Sequence, residues 1–212
     1  MKKKLLKFVF VVLLCCGGLT QAVPITIQIS GNITSAGGVS LPSTIHTGSP
    51  FTGTYTYDSA ALDSYTNPQR GKYLYNSPYG ISLSLGGYTF ATAPSHVGQF
   101  EILITNDDSF NLPVTDYYTV FSGVNAAIPS LGFTIDNIIW NLRDSTHTAI
   151  FSDALPVTAP VLTNWNYNVL TIYAFDSLGY GISIHGTVTQ ATPEPATSIL
   201  IMAGVFLLRR RR

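Results

Sequence analysis

Phe51-Thr52-Gly53-Thr54-Tyr55-Thr56-Tyr57-Asp58 alternates large apolar residues and glycine with threonine at a period of two. That period sends successive side chains to opposite faces, so Phe51, Gly53, Tyr55 and Tyr57 share one face and Thr52, Thr54 and Thr56 the other. The pattern is that of a strand buried on one side. Working outward, Ile25, Ile27 and Ile29 alternate with Thr26, Gln28 and Ser30, and Ile81, Leu83 and Leu85 alternate with Ser82 and Ser84. Gly86-Gly87 then turns the chain into Tyr88-Thr89-Phe90, because glycine supplies the positive φ values of a tight hairpin turn. Further strands are predicted over 100–104, 117–121, 133–142, 168–175 and 180–188, the last two joined by the turn Asp176-Ser177-Leu178-Gly179. No stretch carries a helical stripe. The spacing predicts a single all-β domain over 23–192, a β-sandwich or jelly roll, with its first and last strands side by side.

The formal net charge of the 212 residues is zero, but the charges are segregated. Lys2, Lys3, Lys4 and Lys7 lie at one end and Arg209, Arg210, Arg211 and Arg212 at the other. Between them Arg70, Lys72 and Arg143 face all 11 acidic residues, which leaves −8 over 23–208. Such a body lacks the clustered cations that nucleic-acid binding needs. Both cysteines, Cys15 and Cys16, precede it, so it has no disulfide, thiolate nucleophile or zinc–thiolate site.

Residues 1–22 read as a secretory signal peptide. A lysine-rich start is followed by an apolar run and by Thr20-Gln21-Ala22, with cleavage expected after Ala22. At the other end Pro193-Glu194-Pro195 precedes the uncharged residues 196–208 and then the four arginines. A helix of 13 residues is about 20 Å long, short of a hydrocarbon core of about 30 Å. The arginines snorkel and hold its end on the cytoplasmic side. The reading is a transient inner-membrane stop with an extended, reachable peptide outside it.

These parts resemble the PEP-CTERM sorting signal of Gram-negative bacteria: Pro193, Glu194 and Pro195, a short apolar stretch, then Arg209, Arg210, Arg211 and Arg212. The segment Phe51 to Asp58 with Gly71-Lys72-Tyr73 is similar to a pair of strands found early in many such proteins. The resemblance implies processing by an exosortase, an inner-membrane enzyme that cuts near the motif. It implies export, a transient anchor through 196–208, and a final place on the outer surface or in the extracellular matrix of exopolysaccharide-forming bacteria. It implies no activity for the body.

Within the body, enzyme signatures are missing. Glycoside hydrolysis needs two carboxylates at set separations, and Glu101 would have to pair with Asp58, Asp63, Asp136 or Asp144. Glu101 reads more simply as the polar face of its strand. There is no Gly-x-Ser-x-Gly elbow, and His46, His96, His147 and His185 are scattered. Calcium is the metal candidate, at Asn106-Asp107-Asp108 with Asp116, or in the loop bracketed by Asp58 and Asp63. Solvated Asx turns explain the same residues without an ion. Carbohydrate binding points to aromatics beside amides: Tyr65 with Asn67, and Trp165-Asn166-Tyr167. Trp140 reads as core. The expectation is a non-enzymatic, exported surface or matrix protein with a structural or adhesive role. The alternatives are a lectin-like module, calcium-assisted, and a polysaccharide-active enzyme.

Overall fold

The computed structural model describes residues 24–38, 41–107 and 114–194. Ten strands carry the fold: β1 (Pro24–Gly37), β2 (Pro50–Asp58), β3 (Arg70–Tyr75), β4 (Gly80–Leu85), β5 (Tyr88–Ala91), β6 (Phe100–Thr105), β7 (Asp116–Ser122), β8 (Phe133–Asp144), β9 (Tyr167–Asp176) and β10 (Gly181–Pro193). Helical structure among the described residues amounts to two 3₁₀ turns, Pro129–Leu131 and Leu162–Asn164. None of the described helices is long and apolar enough to cross a membrane. The signal segment, Ala22 and the tail from Pro195 to the arginines lie outside the described residues.

The all-β reading holds in the form of one curled sheet rather than two separate ones. The strands join in the order β3-β6-β7-β8-β9-β10-β1-β2-β4-β5, every neighbouring pair antiparallel. Alternation decides which face each strand buries. Ile25, Ile27 and Ile29 on β1, Tyr55 and Tyr57 on β2, Ile81, Leu83 and Leu85 on β4, and Ile182 and Ile184 on β10 all point inward. Gly86 and Gly87 have φ of 60° and 86°, the left-handed pair that a tight hairpin turn requires.

Four strands separate β2 from β7, a path of roughly 24 Å across a flat sheet at about 4.8 Å per step. Yet the phenol oxygens of Tyr55 and Tyr118 lie 3.0 Å apart, both rings fully buried. The sheet therefore curls until its two halves face each other. Trp140 from β8 fills the space between them, edge-on to Tyr55 at 5.8 Å and to Tyr118 at 6.2 Å. Its indole N–H donates to Asn168 Oδ1 at 3.0 Å, so no polar atom of the ring is stranded. At one corner the chain after β5 meets the chain after β7. The Ala93 amide donates to the Val124 carbonyl, and the Ala126 amide to the Ala91 carbonyl.

Bulges supply part of the bend. The β1–β10 register shifts between Ser30 and Gly31 and again between Ile33 and Ser35. Gly31 allows the close approach, since a Cβ there would collide with the Thr187 carbonyl oxygen. The first and last strands are neighbours, as expected, but β10 runs on through Pro193. That residue pairs with Ile27, and the Glu194 amide donates to the Thr26 carbonyl. The first two residues of Pro193-Glu194-Pro195 are thus held against the sheet rather than reaching freely outward.

Replacing Tyr118 by phenylalanine leaves the Tyr55 hydroxyl buried without its partner and costs about 1–3 kcal/mol. The double change Y55F/Y118F removes both hydroxyls and recovers much of that loss. Urea unfolding of the full chain measures both.

Candidate functional site

Two buried carboxylates organise one rim of the sheet. Asp116 opens β7 and Asp144 closes β8, and they are direct cross-strand partners on the inner face. A buried carboxylate needs hydrogen-bond donors in place of the water it loses. The segment after β8 supplies most of them. Asp144 accepts from the amides of Thr146 and Thr148, both at 2.9 Å, and from their hydroxyls. Burial alone would raise its pKa. The amides and hydroxyls of Thr148 and Thr146 outweigh burial and hold it at about 2. Asp116 accepts from the amides of Ala149 at 3.1 Å and Ile150 at 3.2 Å through one oxygen, and from the Asp107 amide at 3.0 Å through the other.

The last bond brings in the turn after β6. Asp107 takes the left-handed conformation, with φ of 51°, and its carbonyl accepts from Gln69 Nε2 at 2.9 Å. Its carboxylate Oδ1 lies 3.1 Å from Nδ1 of His147, which has φ of 60°. One donor atom each from Asp107, Asp116 and His147 fall within 4.8 Å of one another. This group could coordinate a metal ion. The sequence reading placed Asp107 and Asp116 together, and the structure does so; Asp108 lies outside the described residues. His147 went unrecognised because no local spacing marks it. It arrives through the β7–β8 register, which sets Asp144 opposite Asp116 and the following turn beside it.

The other candidates fall elsewhere. Asp58 and Asp63 hold local turns, accepting from the amides of Ala60 and Tyr65, and Asp63 also accepts from the Lys72 amide. Trp165 is only 9% exposed and belongs to the core, which corrects its reading as a sugar platform. The 3₁₀ turn before it folds the ring inward, where a large apolar surface gains most from leaving water. Asn166 donates to Ser145 Oγ at 2.7 Å and to Asp144 Oδ1 at 3.3 Å. Tyr167 points outward beneath Arg143, whose guanidinium carbon is 4.6 Å from the ring centroid. Tyr65 and Asn67 precede β3, and three strands lie between β3 and β9 in the sheet order. Asn67 is occupied in a turn, accepting from the Gln69 amide.

Glu101 lies on the outer face, 2.9 Å from the Lys72 ammonium, while Asp144 is buried on the inner face. Those two carboxylates do not form a pair across a sugar. His46 bonds the Thr47 carbonyl through Nδ1, and His96 is buried with Nδ1 on the Ala93 carbonyl. His185 sits on the outer face against Thr171.

Two features of the outer face were not read from the sequence. Across β4, β2, β1 and β10 the register aligns Ser84, Thr52, Ser30 and Gln190 in one row, and Ser82, Thr54, Gln28 and Thr192 in the next. Neither row contains a charge. A shallow groove of about 430 Å³ runs along them, lined by Gln28, Ser30, Thr52, Thr54, Gln190 and Thr192. Around the sheet, Tyr117, Arg143 and Tyr167 form a third row over β7, β8 and β9. Comparison with family models, curated proteins and solved structures gives no match.

The Asp144 carboxyl ordinarily titrates at 3.8, so its folded value of about 2 means that its stabilising bonds are complete above that ordinary value. They are lost as the pH falls from about 4 through about 2, when the carboxyl protonates. Thermal melting across this window falls for the wild type, and Asp144→Asn flattens the fall. Hydrogen exchange at the Thr146 and Thr148 amides reports the same loss locally.

Proposed function

We propose that this chain is an exported surface or extracellular-matrix protein, sorted through its C-terminal signal, with a structural or adhesive role in exopolysaccharide. An exosortase is the processing partner and the inner membrane a transient one, through 196–208. The observation that carries the adhesive part is the pair of uncharged hydroxyl-and-amide rows on β4, β2, β1 and β10. Strand spacing sets neighbours within a row about 4.8 Å apart, and the two rows lie about 7 Å apart along the strands, a grid of donors and acceptors on the scale of a sugar ring. Such a face bonds neutral polyols and leaves affinity nearly independent of salt.

The second reading is a lectin-like module. The row Tyr117, Arg143 and Tyr167 supports it, since it offers ring faces and a guanidinium fork to an acidic sugar. An ion at the Asp107, Asp116 and His147 rim would assist it, and calcium is the ion that the acidic turns first suggest.

Full-length protein is expected to bind neutral exopolysaccharide equally at low and high salt, and a T54E/Q28E change weakens that binding about tenfold. Binding confined to acidic polysaccharide, salt-sensitive and lost in Arg143→Ala, selects the lectin-like reading instead. Deleting Arg209, Arg210, Arg211 and Arg212 is expected to impair tail processing, seen as loss of the mature form outside the cell. Normal maturation of the truncated chain overturns the sorting reading.

A further inference from the structure

We infer that Asp107, Asp116 and His147 bind a borderline divalent cation, Zn²⁺ foremost, in preference to Ca²⁺, and that the ion fastens the turn after β6 to the segment after β8. This inference stands without the sorting and adhesive readings, and it replaces calcium at the rim site that the lectin-like reading invokes. The two oxygens of Asp116 offer about four lone-pair sites. Three are taken by the amides of Asp107, Ala149 and Ile150. Those bonds fix the carboxylate's direction before any ligand arrives and leave room for one more partner.

His147 Nδ1 is buried and has no hydrogen bond, although Asp107 Oδ1 is only 3.1 Å away. Proximity without hydrogen-bond geometry sets a nitrogen lone pair and an anionic oxygen on the same small volume. With the ring neutral and its proton on Nε2 those two groups repel, and a cation between them turns repulsion into coordination. The third donor, from Asp116, lies in the same cluster. The body's −8 favours a cation there as well.

Donor chemistry selects the ion. Calcium takes six to eight oxygens, and an imidazole nitrogen is a poor substitute for one. Zinc takes nitrogen and oxygen together, and three protein ligands leave a fourth position for water or substrate. Asp107 is half exposed, so that position opens to solvent. The three ligands sit on separate segments, so a bound ion crosslinks two loops that the Asp116 carboxylate and the His147–Asp107 contact already bring together.

The test uses the full chain with Cys15 and Cys16 replaced by serine, so that leader thiols take no metal. Calorimetric titration is run with Zn²⁺, Mn²⁺ and Ca²⁺ in turn, alongside thermal melting. One Zn²⁺ per chain is expected, with a raised melting temperature, and Ca²⁺ at equal concentration leaves the melt unchanged. Asp107→Asn and His147→Gly are each expected to weaken Zn²⁺ binding at least about tenfold. Asparagine and glycine suit the left-handed backbone at those positions, so metal-free melting stays close to the parent and a lost site is distinguishable from a lost fold. X-ray absorption on the zinc form should show one imidazole nitrogen in a nitrogen-and-oxygen shell at about 2.0–2.1 Å. Absence of Zn²⁺ binding, tighter binding of Ca²⁺ than of Zn²⁺, or variants that bind Zn²⁺ like the parent would each overturn the inference.

Discussion

A buried phenol has to find a partner, and in this protein the partner lies on the far side of a curled sheet. The 3.0 Å contact between the Tyr55 and Tyr118 hydroxyls joins β2 to β7 across the interior. It is possible only at one curvature, because a flatter sheet would strand both oxygens in an apolar core at a cost of about 1–3 kcal/mol each. The same demand positions the long segment between β8 and β9. Tyr57 donates to the Pro156 carbonyl at 2.7 Å, and Tyr73 donates to the Asp153 carbonyl while accepting from the Leu155 amide. Burial raises the pKa of Tyr55, Tyr57 and Tyr118, which keeps these donors protonated. Aromatic packing and loop placement are therefore one problem with one solution.

Charge is handled by a different device. A body with 11 acids and three bases cannot neutralise its carboxylates with salt bridges. Asp116 and Asp144 are instead solvated by main-chain amides, so the charge is spread over fixed dipoles. Of the three bases, Lys72 is paired with Glu101 and Arg143 lies over Tyr167. Asp107, Asp116 and Asp144 gather at one rim, whereas the hydroxyl rows on β4, β2, β1 and β10 carry no charge. The two surfaces suit different ligands for that reason.

Much of the fold was legible because alternation is a local signal. Ile25, Ile27 and Ile29 announce their face without help from the rest of the chain, and Gly86-Gly87 announces its turn. The curl was not legible, since it depends on which rings meet across the interior, and Tyr55 and Tyr118 are 63 residues apart. Trp165 was misread because an aromatic beside asparagine looks alike in a groove and in a core. The pairing of Asp107 with Asp116 was visible from sequence proximity. His147 was not, because it depends on strand register and a turn. The strand through Pro193 ran past its expected boundary, at a position where proline's missing amide costs little.

The pairing of Ile27 with Pro193, extended by the Glu194 amide on the Thr26 carbonyl, has a mechanical meaning. The described domain starts and finishes at the same place, on two antiparallel neighbours. Tension applied between Pro24 and Glu194 pulls across the strands, along the direction of their hydrogen bonds. It loads those bonds one after another, so the ladder unzips at low force. Tension applied between Glu194 and the outer face of the sheet runs along β10 instead and loads many bonds at once in shear. A body held by its tail and gripped on its face would be a stiff link, while the same body pulled by both ends would be a weak one.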